Sequence, residues 1–212
     1  MSKREETREK IVEAAAQLFH RYGLEKTSMD DIAKRAQKAK GSLYYYFESK
    51  EELFKIVVAE ELESIKQQLE TVVNNSSVNY LERLKQYLIL RMQLLKTSLN
   101  YIQILKMDIQ IRLVDENKVS LLEDIKSSFD KWEMVQMKKI VQGCLKSMEM
   151  EMPQTLSVVN VAAVTDMIVM IIKSVEIQLI LQNKYKDYIS TFNFFAEMII
   201  SNLQNMTMNN TK

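Results

Sequence analysis

The residues with most chemistry to offer sit close together, in Lys40-Gly41-Ser42-Leu43-Tyr44-Tyr45-Tyr46-Phe47. Three successive tyrosines on one short helix cannot all be core. Their rings can pack on sugars and thymine methyls while their hydroxyls bond phosphate oxygens or base edges, which is the chemistry of a DNA reader. Leu43 and Phe47, four apart, can anchor one face of such a helix. Lys40, Ser42, Tyr44, Tyr45 and Tyr46 then emerge over the other faces. Gly41 costs about 0.5–1 kcal/mol of helix stability relative to Ala, which makes sense where a helix must come close to DNA. Other chemistries have little material. One His (His20) and one Cys (Cys144) supply neither an intramolecular disulfide nor a zinc site of the usual ligand count. There is no Gly-rich phosphate loop, so the sequence predicts neither an enzyme nor a cofactor.

Those residues need elements to hold them, and the composition says which kind. With 3 Gly and 1 Pro in 212 residues, the chain lacks the turn residues of a strand-rich fold, which predicts an all-α protein. Ile11, Ala14, Ala15, Leu18, Phe19 and Tyr22 share a helical face, with Ser2 and Glu5 as a capping box and Gly23 as a stop in the left-handed conformation, giving a helix over about 3–22. Thr27 and Ser28, followed by Asp30 and Asp31, open a second helix over about 28–35 that buries Met29, Ile32 and Ala36. A third follows at about 40–46. Ser49 and Glu52 cap a long fourth helix. Three short helices with a tight turn between the second and third describe a helix-turn-helix, whose third helix lies in the major groove. Residues 1–50 hold 11 Lys and Arg against 8 Asp and Glu, the rest 18 against 20. That asymmetry has the sign of a DNA-binding head on a neutral body.

Phe19-His20-Arg21-Tyr22-Gly23, Thr27-Ser28-Met29-Asp30-Asp31-Ile32-Ala33, Lys40 to Phe47, and Ser49-Lys50-Glu51-Glu52-Leu53 together resemble the TetR family of repressors over about residues 5–55. The resemblance implies that Thr27 caps the second helix and bonds a phosphate. It implies that Lys50 clamps a phosphate, and that Lys40, Ser42, Tyr44, Tyr45 and Tyr46 contact DNA beside Ser28 and Gly41. The turn departs from the family pattern of Gly, a small apolar residue, then Ser or Thr, because here it is Gln37-Lys38-Ala39. Gln37 is therefore expected at a strained positive φ, Ala39 lacks a capping hydroxyl, and Lys38 could supply the missing phosphate contact. Tyr46 stands where the family often has His.

The expected organisation is a head at 1–50, a connecting helix at about 50–74, a helical ligand-binding and dimerisation domain at 75–206, and a frayed tail at 207–212, about nine helices in all. Asn74 to Asn79 is the clearest polar break. Residues 156–181 are too apolar for a surface helix. A central charge costs about 2.5–3.5 kcal/mol in a membrane, so Asp166, Lys173 and Glu176 argue against a span. Burial against a second copy is the economical alternative, with Val164, Ile168, Ile171, Val175, Leu179, Phe194 and Met198 in a four-helix dimer interface. Asp166, Lys173 and Glu176 fall on one side, as an internal ion-pair set, a ligand-facing group or a solvated edge, a structural role being favoured over a ligand-facing one. Arg91, Met107, Asp108, Arg112, Trp132, Met137 and Lys173 are candidates to bind a small effector. Met92, Met134, Met167 and Met170, with Met107 and Met137, are expected mainly as core filler, and Cys144 as a small buried hydrophobe. The charged start runs straight into a helix without a signal peptide, so a cytoplasmic protein is expected. Its expected partners are a double-stranded operator, a second copy of itself and a largely apolar small molecule, with no membrane.

Overall fold

The computed structural model describes residues 2–98, 100–103, 105–106, 122–151, 160–182, 190, 194 and 197. It is all-helical, with no strand among the described residues. The bounded helices are α1 (Lys3–Tyr22), α2 (Met29–Arg35), α3 (Lys40–Tyr46), α4 (Lys50–Val73), α5 (Tyr80–Thr97), α6 (Glu123–Glu151) and α7 (Val161–Gln182). Further helical residues occur at 100–103 and 105–106. The chain forms two compact units. One comprises Met1–Ser64 with Ser98–Ile125, the other Ile65–Thr97 with Lys126–Lys212.

In the first unit, local signals set the helix ends. Ser2 Oγ accepts from Glu5 N (3.2 Å) and the Glu5 carboxylate accepts from Ser2 N (2.6 Å), so both halves of the capping box form. Gly23 N donates to Phe19 O (2.8 Å) and closes α1. Its φ of 81° is positive as expected, but ψ of 168° takes it out of the left-handed helical region into an extended conformation essentially confined to glycine. Ile11, Ala15 and Phe19 of α1, Ile32 of α2, Leu43 of α3 and Leu53 and Phe54 of α4 are fully buried. The Phe19 and Phe54 rings meet edge to face, 4.9 Å between centroids. Ala33, rather than the half-buried Ala36, completes the inner face of α2. The segment after α5 also belongs to this unit. Asn100 Nδ2 and Tyr101 N donate to the Glu61 carboxylate of α4 (2.6 and 3.0 Å), and Gln103 Nε2 donates to the last carbonyls of α1, Phe19 O and His20 O.

In the second unit, Leu69, Tyr87, Met92, Leu95, Phe129, Met137, Ile140 and Ile172 are buried. Each such side chain stabilises by about 1.5–3 kcal/mol. The methionines divide: Met92 and Met137 are core as expected, while Met167 and Met170 of α7 are 59% and 62% exposed. Cys144 is buried, and desolvation pushes its thiol up to about 12, which leaves it an inert apolar group.

Candidate nucleic-acid interface

Two buried anchors orient α3. Leu43 is 0% and Phe47 1% exposed, one turn apart, while Tyr44 and Tyr45 stand 49% and 66% exposed on the other side. Tyr46 is half-buried and meets Tyr45 edge to face at 5.1 Å. Nothing among the described residues explains Gly41 by crowding, because a Cβ there would meet none of their atoms within 4 Å. Its φ is not in the positive range, so backbone strain does not explain it either. The missing side chain leaves the exposed flank of α3 bare.

The turn before α3 is built despite its unusual residues. Gln37 takes φ 54°, the one positive φ of a non-glycine residue among those described. Lys38 N donates to Ala33 O (2.9 Å) and Gln37 N to Lys34 O (3.2 Å), the pair of bonds that closes a helix when its first non-helical residue is left-handed. Geometry that usually selects Gly is thus held by Gln. α3 has Ala39 at its N-cap and no side-chain cap, as the lost hydroxyl implied.

The expected contact residues fall into two places. Ser28, Lys40, Tyr44 and Lys50 line one notch of about 370 Å³, together with Ser49 at the start of α4. Lys38 lines a separate hollow of about 340 Å³ against α1, with Lys10, Gln17 and Arg35. Ser42 is half-buried on α3. Lys40 Nζ pairs with Asp30 at 2.8 Å, which raises its pKa mainly through that bond.

Two of these side chains take different roles from those the resemblance implies. Ser28, not Thr27, caps α2. Its hydroxyl accepts from Asp31 N (3.2 Å), and Asp31 accepts in return from Ser28 N and Oγ. These bonds hold the Asp31 carboxyl below its ordinary pKa. Thr27 is 3% exposed and its hydroxyl donates to Gly23 O at 2.7 Å, so it ties the loop to the end of α1. Lys50 likewise turns inward, donating to Leu24 O (2.9 Å), Thr27 O (3.1 Å) and Glu25 O (3.5 Å). Sequence reasoning also missed Arg4, whose guanidinium lies 5.3 Å from the Tyr45 ring centre. Its place in the first turn of α1 gave no sign that it would reach α3.

In the second unit, the effector candidates Arg91 and Lys173 fall into one ion network. Fully buried Arg91 pairs through Nε with Glu133 (2.8 Å) and through Nη2 with Glu176 (3.2 Å), and its guanidinium lies over Phe129. Tyr87 OH donates to Glu133 (3.2 Å), and burial raises its pKa further beyond the ordinary phenol range. Lys173 Nζ binds Asp130 and lies 3.9 Å from Glu133. Lys173 and Glu176 thus join one ion network through Asp130, Glu133 and Arg91 and not through each other, whereas Asp166 is exposed and stands apart. Trp132 packs beside Phe129 and donates to Glu70 at 3.3 Å, and Met137 is fully buried. Met107, Asp108 and Arg112 lie outside the described residues.

α7 is not buried all round in the single chain. Thr165, Val169, Ile172 and Glu176 face inward, while Met167, Met170, Ile171 and Ile177 are exposed. Of the interface candidates, Ile171 and Phe194 are exposed and Val164, Ile168 and Val175 half-buried. The side chain of Leu179 and the whole of Met198 lie outside the described residues. No described helix is long and apolar enough to cross a membrane.

Residues 11–57 match the family model described as bacterial regulatory proteins, tetR family. Over those residues the chain is similar to the TetR family. The chain is 29% identical over 126 residues to the HTH-type transcriptional regulator YhgD of Bacillus subtilis, covering 57% of this chain and 65% of that one. It thus spans just under two thirds of that relative's length. Its fold is similar to that of a transcriptional regulator from Cytophaga hutchinsonii, with TM-score 0.69, 25% identity, and 91% and 95% of the two chains covered. It is also similar to the transcriptional regulator FadR from Bacillus subtilis in complex with stearoyl-CoA, with TM-score 0.66, 19% identity, and 91% and 97% covered. These similar proteins are transcriptional regulators.

Proposed function

We propose that this protein is a cytoplasmic, homodimeric repressor that holds a pseudo-palindromic operator until a small, largely apolar ligand releases it. The observation that carries the reading is the division of α3 into two buried anchors and an exposed flank of tyrosines beside a bare Gly41. Two such helices, one from each copy, would enter successive major grooves about 34–36 Å apart. Ser28, Lys40 and Tyr44 around one notch suit the phosphates, with Lys38 as a further contact, while Tyr45 and Tyr46 suit base edges. The exposed apolar residues Met167, Met170, Ile171 and Ile177 on α7 favour a second copy as their cover.

Residues 75–206 are proposed as the dimerisation and effector domain. A ligand there acts only through its differential affinity for DNA-binding and released states, typically about 1–3 kcal/mol of coupling. Long-chain acyl thioesters are the first class to try, since a chain of similar fold holds one.

Selection of bound fragments from genomic DNA tests the reading. A two-fold symmetric site should emerge, with affinity falling steeply as salt rises. Tyr45→Ala should weaken binding to that site more than to random duplex. Equal loss on both would make Tyr45 a positioning residue, and no enriched site would sink the proposal.

A further inference from the structure

The second unit carries a cleft of about 600 Å³ that the DNA-binding reading does not use, lined by the end of α4, the start of α5 and the middle of α6. Three cations line it, Arg83, Lys139 and Lys146, and no carboxylate is among the described lining residues. The whole chain is almost neutral, at +1, so this is a local concentration of one sign. A concave surface of one charge focuses the field and draws the opposite charge.

The cleft is shaped as well as charged. Lys139, Gly143 and Lys146 follow one another at four and three residues, on one face of α6. Gly143 is the middle of that face and sits well inside a 29-residue helix, where Gly costs about 1 kcal/mol relative to Ala. The reason for it is Tyr80. A Cβ on Gly143 would stand 2.2–2.4 Å from the Tyr80 ring, so the ring lies directly on the helix backbone. Arg83 also stacks on the same ring, 4.6 Å from its centre. Arg83 Nη2 donates to Asn75 O and Val78 O, which fixes the guanidinium. Its Nε is buried without a hydrogen-bond partner.

The two lysines are lightly committed. Lys139 Nζ donates to Gln136 Oε1 (3.1 Å), a neutral acceptor, and Lys146 has no ion-pair partner among the described residues. The cleft also lies beside the first turn of α5, whose N–H groups add partial positive charge.

We propose that this cleft binds the phosphate or diphosphate group of a small ligand, with Lys139 and Lys146 as its charge contacts and Arg83 on Tyr80 as its fixed wall. This goes beyond the repressor reading and stands whether or not occupancy reaches the DNA-binding head.

Calorimetric titration of the full-length protein with pyrophosphate tests it. Saturable binding in the millimolar range or tighter is expected, weakening as salt rises. Lys139→Ala combined with Lys146→Ala should reduce the affinity about tenfold or more. Lys138→Ala, an exposed neighbour on α6 outside the cleft, should leave it unchanged. Circular dichroism of the variants checks that the helices persist. ADP separates two sources of the same chemistry: tighter binding than pyrophosphate, lost in the double variant, indicates a nucleotide-linked ligand, and equal binding a free diphosphate. Absence of heat with wild-type protein, or equal affinity in the double variant, overturns the proposal. So does a double variant that keeps pyrophosphate binding but loses affinity for a mixed-sequence duplex, which would make the cleft a nucleic-acid contact.

Discussion

The most deeply buried polar side chains of the two units are held in different ways, although Arg83 of the second unit also ends on backbone carbonyls. In the unit that carries α1–α3, Thr27, Lys50 and Gln103 end on neutral backbone carbonyls. In the other, Arg91, Glu133, Glu176, Lys173 and Asp130 end chiefly on one another. A carbonyl that loses its donor is a modest loss. A buried carboxylate that loses its arginine is an uncompensated charge. The head is therefore held by many separable ties, and the body network stands or falls as a group.

The sharpest way to break that contrast is Arg91→Ala. It should cost about 3–5 kcal/mol in chemical denaturation, because Glu133 and Glu176 stay buried without their cation. Replacing Arg91, Glu133 and Glu176 together by Met, Leu and Leu should recover most of that loss. A single-variant cost under 1 kcal/mol would erase the distinction. Lys50→Met comes next, at about 1.5–3 kcal/mol, since it removes a charged donor from three carbonyls. If its salt slope on DNA also falls by about one, Lys50 is a phosphate contact as well. Ser28→Ala should cost about 1 kcal/mol by uncapping α2. Because Asp31 is depressed by Ser28, its share of that stabilisation is present above the ordinary carboxylate pKa. It is lost as pH falls through the lowered value, so the gap between the two proteins should narrow in acid. Gln37→Gly should add about 0.5–1 kcal/mol by relieving the positive φ. Tyr45→Ala should change stability by less than about 0.5 kcal/mol while weakening DNA binding, which separates reading from folding within α3.

What was legible in the sequence had short range. The Ser2–Glu5 box, the stop at Gly23, the strain at Gln37 and the uncapped Ala39 each depend on residues within a few positions, and the structure carries all four. The choice between Thr27 and Ser28 as cap was not legible. Both carry hydroxyls, and the loop's packing against α1 decides which one turns inward. Lys50 finds its acceptors 23 to 26 residues back, and Arg91 its carboxylates 42 and 85 residues on. Periodicity shows that a charge sits in an apolar helix but not which distant charge meets it. For α7 the pattern marked the helix as too apolar for a surface, yet the exposed stripe includes Met167, Met170 and Ile177, which the predicted interface set omits.

The Glu61 contacts with Asn100 and Tyr101 bear on how this protein can be taken apart. The unit around α1–α3 is continuous in space but interrupted in sequence, since the chain leaves it after Ser64 and returns at Ser98. A transplant of residues 1–64 onto another body would leave the Glu61 carboxylate without Asn100 and Tyr101, and the last carbonyls of α1 without Gln103. A chimera that keeps the head intact must carry its own graft of residues 98–106, so modular exchange along this chain needs two cuts and not one.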